Sequence, residues 1–174
     1  MAGWPFRPPV ERTDRGFRIN LGRDEKDMIE RLLREFRVLL LGPSDDPALM
    51  RLFPAAYHLP DDAELDAEYQ RFMREEIVAS RLTGIDVVID ALNDKSALTE
   101  GQIMALVQAV NGLRLVLAVA LDLSDDHDPD EIDDDHPQAA DHELYSFLSW
   151  LLEWSVRLPA WLAEMAPGSW PIRP

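Results

Sequence analysis

The chain has 174 residues, of which 47% are hydrophobic, and its formal net charge at neutral pH is −16. Because this length and composition are typical of one domain with one core, we expect residues 1–174 to form a single domain. The chain contains no cysteine, which excludes disulfides, thiolate metal sites and a cysteine redox switch within it. It shows no signal-peptide pattern and no apolar run of the roughly 20 residues that span a membrane. We therefore expect a cytoplasmic protein without a membrane partner.

The charge is unevenly distributed along the chain. Residues 1–37 hold nine Arg or Lys and seven acidic residues, whereas the remainder holds eight Arg or Lys and twenty-six acidic residues. A negative surface repels the phosphate backbone of nucleic acids and favours cationic partners. Any contact with DNA should therefore be weak or indirect, and it should be made by the arginines of an amino-terminal arm: Arg7, Arg12, Arg15, Arg18 and Arg23.

Residues 1–22 are typical of a β-hairpin arm. Phe17, Ile19 and Leu21 alternate with polar residues, as in a strand with one apolar face. Thr13 to Gly16 supplies the turn, and Gly16 can adopt a positive φ. The favoured interpretation of the arm arginines is a solvated strand edge that resists aggregation. The alternative is that they form a binding patch for a nucleic acid or a protein partner.

From residue 24 onward the apolar spacing is helical. Asp24 is a candidate N-cap for the first helix, Gly42-Pro43 ends that helix, and Thr99 with Gln102 forms a capping box that starts another. Pro159 should bend the last helix. The sequence therefore predicts a mainly α protein, a bundle of about five helices with an N-terminal β-hairpin. The predicted helices are 24–41, 47–53, 62–93, 99–123 and 138–165.

The predicted helix over 62–93 is the longest. Its apolar residues recur at three- and four-residue spacing, which predicts one buried stripe along the helix. Thr83-Gly84 is a candidate kink. The stripe comprises Leu65, Tyr69, Phe72, Met73, Ile77, Leu82, Ile85, Val88, Ile89 and Leu92.

Several blocks of the sequence resemble one actinobacterial family of unknown function, which includes the oxidative-stress regulator AosR. The blocks are Leu52-Phe-Pro-Ala-Ala-Tyr57, Glu68-Tyr-Gln-Arg71, Val110-Asn-Gly-Leu-Arg-Leu-Val-Leu117, Leu121-Asp-Leu-Ser124, Leu144-Tyr-Ser-Phe-Leu-Ser-Trp-Leu151 and the arm pattern Phe17-Arg-Ile-Asn-Leu21. Their order and spacing carry the resemblance more than any single block does.

The resemblance implies a non-enzymatic regulatory protein that acts through protein–protein contacts. The regulator in that family senses oxidants and works with a sigma factor, so a sigma factor or another part of the transcription machinery is the partner that the resemblance implies. Sensing through a cysteine pair requires two thiols, and this chain has none. Regulation can therefore carry over to this chain, whereas thiol sensing cannot.

An acidic loop is predicted over 124–137. Asp126, Asp128 and Asp130 alternate like the first ligands of a calcium loop, but Glu131 stands where an EF-hand has glycine and Pro137 where it has glutamate. A solvated loop is therefore favoured over a cation site. The alternative function is an acidic divalent-metal-binding protein or a metal-dependent enzyme. No catalytic motif and no cofactor motif is recognisable in the sequence.

Two polar residues, Asn111 and Arg114, lie one turn apart on a strongly apolar helix. At least one of them should point inward, and a buried guanidinium needs a carboxylate partner. An ion pair that fixes the helix register is favoured over a ligand site. The candidate carboxylates on the long helix are Glu75, Glu76, Asp86 and Asp90.

The last predicted helix is apolar over much of its circumference. A helix of this kind must be covered on more than one side, which predicts a homodimer, and packing within the chain is the alternative. The expected dimer face comprises Phe147, Trp150, Leu151, Trp154, Leu158 and Trp161.

Overall fold

A computed structural model describes residues 7–54, 63–123 and 137–157 of the chain. These residues form a two-stranded antiparallel hairpin, four α-helices and one 3₁₀ turn. The predicted mainly α fold with an N-terminal hairpin is confirmed. The elements are β1 (Val10–Thr13), β2 (Gly16–Ile19), α1 (Arg23–Leu41), the 3₁₀ turn (Pro47–Leu49), α2 (Ala63–Asn93), α3 (Glu100–Ala120) and α4 (Ala139–Val156).

The prediction of five helices is wrong for the described residues, because the segment predicted as a helix over 47–53 contains only the 3₁₀ turn. The Asp46 side chain accepts a hydrogen bond from the Ala48 N–H over 2.9 Å, and Pro47 follows the cap directly. These signals start a helical turn. The segment is too short to offset the cost of helix nucleation, and Pro54 prevents its extension.

The hairpin docks on the loop between α2 and α3. Gly16 has a φ of +131°, as the turn pattern predicted, and Phe17 pairs with Leu98 through two backbone hydrogen bonds of 2.9 and 2.7 Å. A Cβ at Gly16 would lie 2.3 Å from the Leu98 carbonyl oxygen. Glycine is therefore required both for the turn and for the close approach of the loop. Phe17 and Val10 are buried against the helices.

Helix α1 begins at Arg23, and its N-cap is Gly22 rather than the predicted Asp24. The Glu25 carboxylate accepts a hydrogen bond from the Gly22 N–H, so the cap interaction comes from the third helical residue and moves the start of the helix towards the N-terminus. The buried face of α1 carries Ile29, Leu33, Phe36 and Leu40.

Helix α3 lies at the centre of the bundle and packs against α2, α4, α1 and the 3₁₀ turn. It starts at the predicted capping box, in which Thr99 and Gln102 exchange hydrogen bonds of 2.8 and 3.2 Å. It ends at Ala120, before the predicted 123, because Asp122 adopts a left-handed conformation with φ +52°. The Leu123 N–H then bonds to the Ala118 carbonyl, which closes the helix end.

Among the described residues, α3 is the one helix long and apolar enough to cross a membrane, with 21 residues and a mean hydropathy of 1.9. A central helix of a soluble bundle has the same length and composition. Its buried residues contact the other helices of the bundle: Ile103, Leu106, Val110 and Leu113 belong to the same core as Leu148 and Leu151 of α4.

Polar contacts join the end of α2 to α1. Arg37 of α1 forms a 2.7 Å ion pair with Asp86 of α2. Asn93, the last residue of α2, donates a 3.0 Å hydrogen bond to Glu30 of α1. These contacts flank Ile85, Val88 and Leu92, the residues through which α2 enters the core.

Candidate interaction surface

The first half of α2 carries a stripe of exposed apolar side chains. Leu65, Tyr69 and Phe72 are exposed to 52%, 41% and 65%, respectively, and their four- and three-residue spacing aligns them along the helix. The prediction that they belong to the buried stripe is wrong. They precede Ile85 and Leu92 by 13 to 27 residues, and the buried residues of α2 all lie in its second half. We call Leu65, Tyr69 and Phe72 the apolar stripe.

The reason for the exposure is the phase of the helix. Successive residues are rotated by about 100°, so Ile85 lies about 200° around the helix from Leu65 and about 160° from Tyr69. The apolar stripe therefore lies on the side of α2 opposite to the residues that enter the core. The helix is also continuous through Thr83-Gly84, so no break in the helix changes this rotation.

A solvent-accessible cavity of about 950 Å³ lies between the end of α1, the 3₁₀ turn and the first half of α2. Its wall combines exposed apolar residues, Leu41 and Met50, with Arg71 and Arg74 and several acidic residues. The Arg74 guanidinium lies 4.1 Å from the centroid of the Phe53 ring, a cation–π contact that fixes both side chains. Such a mixture of apolar and charged groups is typical of surfaces that bind other molecules.

Part of this cavity wall has unused hydrogen-bonding capacity. Arg74 Nη2 is buried and has no hydrogen-bond partner among the described residues. Gln70, one turn earlier on α2, donates a 2.9 Å hydrogen bond to the Pro54 carbonyl and so joins α2 to the segment after the 3₁₀ turn. Sequence reasoning missed this cavity, because it depends on how the segments 41–53 and 66–78 pack against each other.

Asn111 and Arg114 are both half-buried on α3. Arg114 Nη2 donates a 3.2 Å hydrogen bond to Asn111 Oδ1, and the guanidinium also contacts the hydroxyl and the ring face of Tyr145 on α4. The predicted carboxylate partner is wrong, because Arg114 is directed towards α4 rather than α2. None of the four candidates forms an ion pair with Arg114: Glu75, Glu76, Asp86 and Asp90.

The arm arginines do not share one face of the hairpin. Arg12 is the cross-strand neighbour of Phe17, whereas Arg18 is opposite Glu11 and forms a 3.7 Å ion pair with it. Because neighbouring strand residues point to opposite faces, Arg12 and Arg18 are directed to different sides. All five arm arginines are exposed: Arg7, Arg12, Arg15, Arg18 and Arg23. Their role as a nucleic-acid or partner contact stays a prediction.

The expected dimer face on α4 is only partly accessible. Leu151 is fully buried in the core of the chain, and Phe147 packs against that core. Trp150 is exposed on the outer side, where its ring lies 5.9 Å from the Phe147 ring, and Trp154 is half-buried. Leu158, Trp161 and the predicted bend at Pro159 lie outside the described residues. The homodimer stays a prediction.

The candidate cation ligands Asp126, Asp128 and Asp130, with the rest of the acidic loop up to residue 136, also lie outside the described residues. Within 7–54, 63–123 and 137–157, no group of three or more His, Asp or Glu side chains is placed to hold a metal ion. The metal-dependent alternative therefore stays a prediction that rests on the acidic loop alone.

The architecture is thus a mainly α bundle with an N-terminal hairpin and an exposed apolar stripe on its longest helix. The chain belongs to the family described as domain of unknown function DUF2017, which matches residues 5–158. The oxidative stress regulators AosR of Mycobacterium tuberculosis and Mycobacterium bovis are each 31% identical to the chain in an alignment 126 residues long, which covers 64% of this chain and 57% of the relative. The chain thus spans little more than half the length of these relatives. No solved structure matches it.

Proposed function

We propose that this protein is a non-enzymatic regulator that acts by binding another protein in the cytoplasm, in the control of stress-responsive transcription. Membership of the DUF2017 family and 31% identity to mycobacterial oxidative stress regulators support a regulatory role. The absence of cysteine from the sequence means that this chain responds to its signal without a thiol switch of its own.

The observation that carries the proposal is the apolar stripe on α2. Three large apolar side chains in a row are exposed on a protein whose sequence otherwise provides many charges. Contiguous exposed apolar groups usually mark interfaces, and aromatic residues such as Tyr69 and Phe72 are common anchors of protein–protein contacts. The stripe therefore supports binding of a partner protein along the first half of α2.

The charge supports a particular kind of partner. Acidic residues Glu64, Glu68 and Glu76 alternate with the stripe along α2, and the whole chain has a net charge of −16. A basic surface on the partner would be attracted at long range and would complement the rim of the stripe. A sigma factor or another component of the transcription machinery is the proposed partner, and DNA is contacted weakly or through that partner.

The proposal is tested by measuring the binding of the purified chain to RNA polymerase and to the individual sigma factors of the organism that encodes it. Phe72→Glu places a charge at the C-terminal end of the stripe, on its most exposed side chain, and should weaken binding at least about tenfold, the effect typical of an interface anchor. Val38→Glu is the matched control, since Val38 is an exposed apolar residue of α1 outside the stripe. It should leave the affinity unchanged.

Circular dichroism and thermal unfolding of both variants establish that they are folded. If the wild type and Phe72→Glu bound the partner equally well, the apolar stripe would not be the surface that contacts the partner. If no component of the transcription machinery bound the wild-type chain, the proposed partner class would be wrong.

A further inference from the structure

A second depression lies between α2 and α3, on a different face of α2 from the apolar stripe. It is an open groove of about 450 Å³, a volume within the usual range of small-molecule sites. Apolar side chains from α2 and hydrogen-bonding side chains from both helices line it: Met73, Ile77, Ser80, Arg81, Gln108 and Asn111. We call it the α2–α3 groove.

Arg81 is the unusual residue of the groove. Its side chain is half-buried, and burial lowers the pKa of its guanidinium below the ordinary value. The Nε atom is buried without a hydrogen-bond partner, and no carboxylate of the described residues forms an ion pair with Arg81. A half-buried cation without an ion-pair partner is unfavourable, and a bound anion would reduce that penalty.

The Arg81 guanidinium lies beside Gly112 of α3. A Cβ at Gly112 would lie 2.8 Å from the Phe36 ring, which is a collision, but 3.5 Å from Arg81 Nη1, which is an ordinary van der Waals contact. The guanidinium therefore packs against the backbone of α3, and it is Phe36 that requires the glycine. Arg81 is held between two helices instead of extending into solvent, where an arginine could find water or a surface carboxylate.

Asn111 provides a second donor on the opposite wall. Its Oδ1 accepts the hydrogen bond from Arg114, and this contact assigns the oxygen end of the amide. The Nδ2 group is the end that remains to donate. The guanidinium of Arg81 and the amide of Asn111 thus supply donors from both helices, whereas Met73 and Ile77, two turns and one turn before Arg81, supply an apolar wall.

We propose that the α2–α3 groove binds a small organic anion, with a carboxylate or phosphate head on Arg81 and Asn111 and an apolar body against Met73 and Ile77. Both heads offer several acceptor oxygens to a guanidinium. Glu76 also lines the groove, and its negative charge opposes the anion. Neutralising Glu76 should therefore strengthen binding.

Hexanoate, acetate and inorganic phosphate are suitable probes, each compared with sodium chloride at equal ionic strength. Hexanoate carries both the head and the apolar body, so it should raise the melting temperature of the wild-type chain by roughly 2–4 °C at about five times its Kd. Acetate should give a smaller rise, because it lacks the apolar body. A larger rise with phosphate than with acetate would show that the groove prefers a phosphate head group to a carboxylate head group.

Arg81→Gln should remain folded, since it removes a half-buried charge that forms no ion pair among the described residues, and it should lose the hexanoate-dependent rise. Glu76→Gln should enlarge the rise. Arg31→Gln, at an exposed arginine of α1, is the matched control for the loss of one positive charge and should behave as wild type.

The Arg81 Nε–H signal in a ¹H–¹⁵N spectrum, identified by its loss in Arg81→Gln, provides a direct readout and should move on titration with hexanoate. A rise in melting temperature that persists in Arg81→Gln would overturn the proposal. The proposal would also be overturned if hexanoate raised the melting temperature of the wild-type chain no more than sodium chloride does. Because Arg81 lies outside the apolar stripe, failure of anion binding is distinguishable from failure of partner binding by Phe72→Glu.

Discussion

The two halves of α2 have opposite relations to the rest of the protein. In the second half, Ile85, Val88 and Leu92 are buried and polar contacts join the helix to α1. In the first half no residue is fully buried, and Leu65, Tyr69 and Phe72 are exposed. One continuous helix therefore combines a structural half, which is packed against the core, with a half whose large apolar residues are exposed. Rigid attachment of the second half positions the first half without burying it.

The comparison predicts very different costs for removing apolar side chains from the two halves. Ile85→Ala should lower the free energy of unfolding by about 2–4 kcal/mol, because it leaves a cavity in the core. Phe72→Ala removes a larger side chain but should change the same quantity by no more than about 0.5 kcal/mol, because that side chain is already exposed. Urea denaturation of the two variants and the wild type measures both effects. Equal losses would contradict the division of α2 into two halves.

Most local signals in the sequence predict the structure correctly, although Gly22 rather than Asp24 is the N-cap of α1 and residues 47–53 contain only a 3₁₀ turn. The long-range contacts are not predicted. The capping box of Thr99 and Gln102 and the turn at Gly16 depend on residues within a few positions of one another, so their chemistry is visible in the sequence. The three- and four-residue spacing of Leu65 and Phe72 is also local and correctly indicates a helix. It does not show that Ile85 lies about half a turn around the helix axis from these residues. This rotation decides which side of α2 is buried.

The misplaced site residues have the same origin. Arg114 was expected to face α2, but its partner Tyr145 lies 31 positions along the chain on α4. The pairing of Phe17 with Leu98 joins residues 81 positions apart. The α2–α3 groove joins Arg81 and Asn111, which lie 30 positions apart on two helices. Each of these contacts is determined by how distant elements pack, and no periodicity within one element encodes it.

The hairpin supports the structural half of α2, because Leu98 follows the end of that helix. Gly16→Ala should lower the free energy of unfolding by about 1–3 kcal/mol, since alanine tolerates the positive φ poorly and its Cβ would collide with the Leu98 carbonyl oxygen. Thermal and urea unfolding measure the loss.

Gly84→Ala is the matched control for Gly16→Ala. A Cβ at Gly84 would meet no atom within 4 Å, and alanine favours the helix that contains this position. The control should gain about 0.5–1 kcal/mol. If both substitutions changed the stability in the same direction, the contact between Gly16 and Leu98 would not be the reason for the loss.

The smallest expected effect concerns the polar contact at the end of the structural half. The hydrogen bond from Asn93 and, to a lesser extent, the hydrogen bond and charge of Arg34 hold the pKa of Glu30 below its ordinary value of 4.5. The folded chain therefore binds this proton less readily than the unfolded chain. The resulting stability is present at pH values above the unfolded-state pKa and is lost as the pH falls through the folded-state pKa.

Glu30→Gln should thus be less stable than the wild type at neutral pH. The difference should shrink as the pH falls below the unfolded-state pKa and should disappear once the pH is below the lowered folded-state pKa. Because Glu30 lies at the surface and solvent screens its charge, the difference at neutral pH should be only about 0.2–0.5 kcal/mol. Urea denaturation from pH 7 to pH 3 measures it, and Glu35→Gln, at an exposed carboxyl group of the same helix, controls for the loss of one negative charge. A difference that stayed constant across this range would show that the ionised carboxylate of Glu30 does not help to hold α1 against the end of α2.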